Sequence, residues 1–165
     1  MTITHRTFVS YIDRTREFYA AQGYDRPYAW AHHDDTPFAP LPKPLAECRV
    51  ALVTTASPLD TRVDSGSLRA DKAVWSGPVD PAPERLFTDH LSWDKQATHT
   101  DDVESFLPIE ALRSFADAGR IGSLAPRFHG VPTDYSQRRN VEVDAPEILR
   151  RCREDEVDVA LLVPL

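Results

Sequence analysis

Cysteine, glycine and long apolar runs are all scarce in this sequence of 165 residues, and each scarcity excludes something. The two cysteines, Cys48 and Cys152, lie far apart and form neither a disulfide framework nor a paired metal-ligand motif. No apolar stretch approaches the roughly 18 residues that a bilayer-crossing helix needs, which excludes such a span. The opening residues MTITHRTF lack the basic start and apolar stretch of a secretory signal, so the expected location is cytoplasmic. Positive charge is the minority sign, with 19 Lys and Arg against 26 Asp and Glu. A net charge of -7 repels phosphate backbones and anionic lipid, so neither nucleic acid nor membrane is an expected partner.

What is present is an ordinary globular composition, 41% hydrophobic and 27% charged. A compact chain of this length removes roughly 70% of its unfolded surface from water, enough for a real core, and the expectation is one α/β domain over 1–165. Prolines outnumber glycines, 14 to 6, and they cluster. Pro37, Pro40, Pro42 and Pro44 form one group and Pro78, Pro81 and Pro83 another. Because proline fixes φ and lacks a backbone donor, both groups read as extended connections.

Between these breaks the apolar periodicity predicts the elements. Phe8, Tyr11, Ile12, Thr15, Phe18 and Tyr19 recur at helical spacing before Gly23, predicting an amphipathic helix over Phe8–Gln22. Val50–Val53 is a short apolar run that fits a strand buried on both faces. Pro108 opens a helix carrying Ile109, Leu112 and Phe115 on one side, and Gly119 closes it. Ile121–Ala125 predicts another short strand. Asp144 and Glu147 stand at capping-box spacing around Pro146, predicting a helix that buries Ile148, Leu149 and Cys152 before a strand over Val157–Val163.

Helix and strand alternate three times, the order of an α/β domain with a parallel sheet and flanking helices in three layers. The segment 60–104 departs from this order. It carries ten acidic and five basic residues, no sustained period and one candidate strand near Arg85–Thr88, and it reads as a long irregular acidic insertion.

Two groups of residues carry candidate chemistry. His32, His33, Asp34 and Asp35 follow Trp30, and His90, Asp94, His99, Asp101 and Asp102 lie in the insertion. Imidazole and carboxylate suit a divalent metal such as zinc, iron or manganese, and His32, His33, His99 and Asp101 are the candidate ligands. Their spacing is not diagnostic, and solvated loop residues are the alternative. The second group follows from topology, since ligands of parallel sheets collect beyond the C-terminal ends of the strands. Thr54, Thr55 and Ser57 follow the first strand and Arg127, Phe128, His129 and Gly130 follow the second. With Arg138, whose guanidinium suits a carboxylate or phosphate, the polar members of this group are candidate contacts to a small-molecule substrate. Cys48 and Cys152 read as packing residues.

Five separated motifs occur in order: Tyr24-Asp25-Arg26-Pro27-Tyr28 with Trp30, Pro40-Leu41-Pro42-Lys43-Pro44-Leu45, Arg49-Val50-Ala51-Leu52-Val53-Thr54-Thr55, Ile121-Gly122-Ser123-Leu124-Ala125-Pro126 and Ala145-Pro146-Glu147-Ile148. Together they resemble the selenoprotein B family. That family includes the B components of glycine, sarcosine, betaine and D-proline reductases. The resemblance runs from about Tyr11 to Leu165.

The resemblance implies a thiol- or selenol-dependent oxidoreductase that cleaves a small substrate reductively and is renewed by a thiol reductant or thioredoxin-like donor. In the family, the strand matching Val157–Val163 leads into a selenocysteine or cysteine motif. The expectation is therefore that these residues are the N-terminal part of a longer family domain. They would hold no cofactor of their own, the redox residue would lie beyond Leu165, and the chain alone would be inactive. An ordinary stop after Leu165 with no in-frame coding beyond it would sink that expectation. His90, Asp94 and Asp102 match a family pattern preceding the helix that Pro108 opens. The larger reductases have a second His two residues after the first, where this chain has Ser92, which puts their amino-acid substrates in question. His129 is the candidate imidazolium partner of the missing thiolate or selenolate. Two readings stand beside this one: a metal- or ligand-binding domain, and a scaffold subunit whose last strand pairs with a second copy or a partner chain.

Overall fold

The computed structural model of the chain describes residues 11–26, 34–36, 39–58, 73–88, 99–131 and 136–165. These residues fall into two compact units, 1–38 and 39–165. In the first, helix α1 (Tyr11–Ala21) ends where Gly23 takes a positive φ of 82°. The amide of Gly23 donates to Ala20 O and that of Tyr24 to Tyr19 O, closing the last turn. The predicted helix thus begins at Tyr11 within the described residues, and Phe8 lies outside them.

In the second unit the chain builds around β1 (Arg49–Thr54), where every residue from Val50 to Thr54 is buried. β2 (Trp75–Pro78), helix α2 (Ile109–Asp117), β3 (Ser123–Leu124) and β4 (Arg127–Gly130) follow. Helix α3 (Gln137–Arg139) continues through a π-helical turn (Asn140–Asp144) into α4 (Ala145–Glu154), and β5 (Val159–Val163) comes last. β5 pairs parallel with β1 from Val50↔Val159 to Thr54↔Val163. The other side of β1 carries β3, at Arg49↔Ser123 and Val50↔Leu124, and then β4, at Val53↔His129 and Thr54↔Gly130, both parallel. Pro126 has no N–H to offer, so this side is two short strands rather than one. β2 runs antiparallel to β4, from Trp75↔Gly130 to Pro78↔Arg127. Among the described residues the sheet has five strands and is mostly parallel, and the fold is mixed α/β.

Alternation along β1 sends side chains to two cores. Val50 and Leu52 join Phe106, Leu107, Ile109, Leu112, Ile121 and Phe128 in the larger one, which includes the apolar side of α2. Ala51 joins Ala125 and Cys152 in the smaller one, with Ile148 of α4 against it. α2 begins after Pro108 and gives way to Gly119 at φ 67°, as the sequence predicts. β5 is tied to β1 at both ends. Asp158 accepts from the Arg49 amide at 2.8 Å and from Lys43 Nζ at 2.8 Å, and the Leu165 amide donates to Thr55 Oγ1 at 2.9 Å. Among the described residues no helix is long and apolar enough to cross a membrane.

Five expectations change. The helix assigned to a capping box at Asp144 begins earlier, at Ser136, whose hydroxyl accepts from the Arg139 amide. Asp144 is helical, makes no cap and faces Arg139, while Leu149 is half exposed rather than buried. Arg127–Gly130 is a strand and not the loop after one. Trp75–Pro78 is a strand inside the segment read as irregular. The candidate strand near Arg85–Thr88 is a single antiparallel bridge, Ser57↔Phe87. About half of the acidic insertion, 60–72 and 89–98, lies outside the described residues.

Candidate functional site

The register of β1 and β4 puts His129 beside Val53, one residue before the C-terminal end of each strand. Its ring is fully buried, and its Nδ1 lies 2.8 Å from Ser76 Oγ on β2, the residue directly across the antiparallel pair. Nε2 is buried with no hydrogen-bond partner among the described residues. Burial pushes its pKa below the ordinary value near 6.5, and the nearby Arg127 and Arg151 add to the effect, which Asp155 and Glu147 oppose only in part. This environment favours the neutral imidazole over the imidazolium expected from sequence.

Ser76 is held from the far side by Arg151 of α4, whose NH1 donates to Ser76 Oγ at 2.7 Å. Arg151 also donates through NH2 to Val74 O at 3.0 Å and through Nε to Glu147 Oε1 at 2.7 Å. Glu147, bonded by both Arg150 and Arg151, is held at a pKa of about 2 and stays ionised. Sequence reasoning passed over Ser76 and Arg151 and assigned Glu147 to a capping box. The only signal was the spacing of Glu147 and Arg151, four apart on a helix.

The other strand-end residues lie in different surroundings. Thr54 is buried, and its Oγ1 accepts from the Ala56 amide at 3.2 Å. Thr55 both accepts from the Leu165 amide and donates to the Leu165 carbonyl, at 2.9 and 3.3 Å. Ser57 exchanges two backbone bonds with Phe87. Arg127 opens β4, at the opposite end from His129, and its guanidinium binds Asp155 at 2.7 Å and Glu154 at 3.0 Å. Arg138 is exposed and faces Glu142 at 3.9 Å. The structure therefore gathers Thr54, Thr55, His129 and Leu165 toward one end of the sheet and puts Arg127 at the other.

His90 and Asp94, read from the family pattern, and His32 and His33, read as metal ligands, lie outside the described residues. Asp102 is exposed before a 3-10 turn, and its carbonyl accepts from Ser105 Oγ at 2.7 Å. His99 and Asp101 pair with each other at 3.5 Å on the surface. Among the described residues no three His, Cys, Asp or Glu side chains gather as metal ligands.

Both cysteines are free and buried. Cys48 Sγ donates toward the carbonyls of Pro44 and Lys43, at 3.4 and 3.5 Å. Burial pushes the Cys152 thiol up, away from the reactive thiolate.

No protein-family model matches the chain. No solved structure matches it either. Among curated proteins it is similar to the D-proline reductase subunit gamma of Acetoanaerobium sticklandii, 31% identical over 129 residues. The match covers 76% of this chain and 52% of that protein, so the chain spans about half the length of the curated relative it matches. This similarity is consistent with a reductase-family relationship.

Proposed function

We propose that this chain is an α/β domain of a selenoprotein B-type reductase and forms one wall of a site that cleaves a small substrate reductively. The similarity to a D-proline reductase subunit carries the reading, and the motifs around β1, β3 and α4 agree with it. The chemistry consumes two electrons and two protons. A dithiol or thiol–selenol pair gives them up and closes to a disulfide or selenenylsulfide, the substrate bond takes them up as it breaks, and an external thiol or thioredoxin-like donor reopens the pair. Neither cysteine here suits that role, because Cys48 and Cys152 are buried and far apart in sequence, each packed in its own surroundings. The redox group, a cysteine or selenocysteine, therefore comes from outside these 165 residues. The strand ends with His129, Thr54 and Thr55 are this chain's contribution to the wall.

The test uses the native protein purified from its source cells with the subunits that accompany it. With dithiothreitol as reductant, it is offered D-proline, glycine, sarcosine and betaine and, because Ser92 puts those substrates in question, a panel of other small amino and carboxylic acids. Consumption of one member of the panel with an equal amount of dithiol oxidised is the expected result, and residues 1–165 alone should consume none. Activity in residues 1–165 alone would overturn the placement of the redox group, and a native protein inert toward the whole panel would overturn the family reading.

A further inference from the structure

Four polar side chains from three elements, α4, β2 and β4, form one relay: Glu147, Arg151, Ser76 and His129. Its direction follows from donor chemistry. A guanidinium only donates, so Ser76 Oγ accepts from Arg151. The one hydrogen of Ser76 then has His129 Nδ1 as its acceptor, and Nδ1 must offer a lone pair. A neutral imidazole bare at Nδ1 carries its hydrogen on Nε2. Were Nδ1 protonated, Ser76 would face two donors and its own hydrogen would lose that acceptor, at a cost in a buried site. Of the charged groups around the ring, Arg127 of β4 and Arg151 of α4 disfavour its protonation, whereas Glu147 of α4 and Asp155 just after it favour protonation and offset burial and the arginines only in part. The register neighbours on β1 and β5, Val53 and Leu162, are apolar.

We propose that Ser76 and Arg151 are positioning residues that fix His129 as the neutral Nε2–H tautomer. His129 thereby serves the site as an uncharged hydrogen-bond donor to an oxygen of a bound small molecule, and neither as a base nor as an imidazolium. Nε2 is the one polar atom of the ring left without a partner among the described residues, although the residue is fully buried. A buried donor in that condition is completed by a ligand or an ordered water. The tautomer stands on the relay alone, whereas the donor's target rests on the reductase reading above, and the two are tested separately.

The tautomer is read by two-bond proton–nitrogen correlation spectra of the chain labelled with nitrogen-15 histidine, with His129 assigned by its loss in His129→Gln. The expected pattern at pH 7 is that of an Nε2–H imidazole. Ser76→Ala should give a mixture of tautomers and a titration nearer the ordinary value, and Ser76→Thr, which restores a hydroxyl, should return the original pattern, with circular dichroism confirming the fold of each. An Nδ1–H or imidazolium pattern in the wild type, or an unchanged pattern in Ser76→Ala, would overturn the assignment. The donor role is read by kcat/KM of the native reductase. His129→Gln, which keeps an N–H donor and cannot be charged, should stay within about tenfold of wild type, whereas His129→Leu should lose a hundredfold or more. Equal losses in the two variants, or none in His129→Leu, would overturn it.

Discussion

Trp75 and Gly130 face each other across the antiparallel pair of β2 and β4, and the indole occupies the space where a side chain at residue 130 would begin. A Cβ built on Gly130 overlaps the indole Nε1, which donates to Ala56 O at 3.2 Å, and the ring meets Phe128 edge-on with centroids 5.3 Å apart. Gly130→Ala should expel the indole and cost about 1–3 kcal/mol, the usual range for overpacking a core. Urea denaturation followed by tryptophan emission checks this, with a red shift in the folded variant as the local signature.

That pair also shows why parts of the fold were illegible in the sequence. β1 and α2 announce themselves, the first as an unbroken apolar run and the second between Pro108 and Gly119. β2 does not, because Trp75-Ser76-Gly77-Pro78 has no alternation and two residues that usually break strands. Gly77 is there for space, since a Cβ would stand 2.7 Å from the Phe128 ring, and Pro78 sits at the strand's end. β4 was hidden because Pro126 splits it from β3. The Asp144–Glu147 spacing misled because both carboxylates serve arginines, Arg139 in one case and Arg150 with Arg151 in the other, rather than helix amides. His129 was read in the loop that follows a strand, whereas it lies within β4. Its partners were not legible, since Ser76 and Arg151 reach it only through sheet pairing and helix packing.

The depressed pKa of His129 makes stability depend on pH in a definite direction. Between the folded value and the ordinary value near 6.5, the unfolded chain binds a proton that the native chain does not. The contribution is therefore full above about pH 6.5 and declines as the pH falls toward the folded value, with a slope of at most about 1.4 kcal/mol per pH unit. Melting temperatures from pH 7.5 to 5 should fall in the wild type and fall less in His129→Gln. The Glu147 carboxylate, lowered from 4.5 to about 2, loses its own contribution as the pH falls through that lower range, beneath this window.

Leu52 and Leu161 are register partners in adjacent strands, and Leu162 follows Leu161, yet their environments differ. Leu52 is 1% exposed in the larger core, and Leu162 is 71% exposed. Leu52→Ala should cost about 2–5 kcal/mol, whereas Leu162→Ala should stay within about 0.5 kcal/mol of wild type. Chemical denaturation of the two variants compares them directly.

Asp158 anchors the start of β5 through the Arg49 amide and Lys43, which together hold its carboxyl below the usual carboxylate range. Asp158→Ala should speed amide hydrogen exchange across Val159–Val163 while leaving Val50–Val53 near wild type. Asp158→Asn, which keeps a side-chain acceptor for the Arg49 amide, should show a smaller change.

The central claim is that these residues build the wall of a reductase whose redox group lies outside them. Alkylation of the reduced native protein with iodoacetamide, mapped by mass spectrometry as activity is lost, tests it most directly. The account predicts that inactivation follows modification of a cysteine or selenocysteine outside residues 1–165, with Cys48 and Cys152 unmodified until the protein is unfolded. Inactivation that follows modification of Cys48 or Cys152 in the folded protein would contradict it.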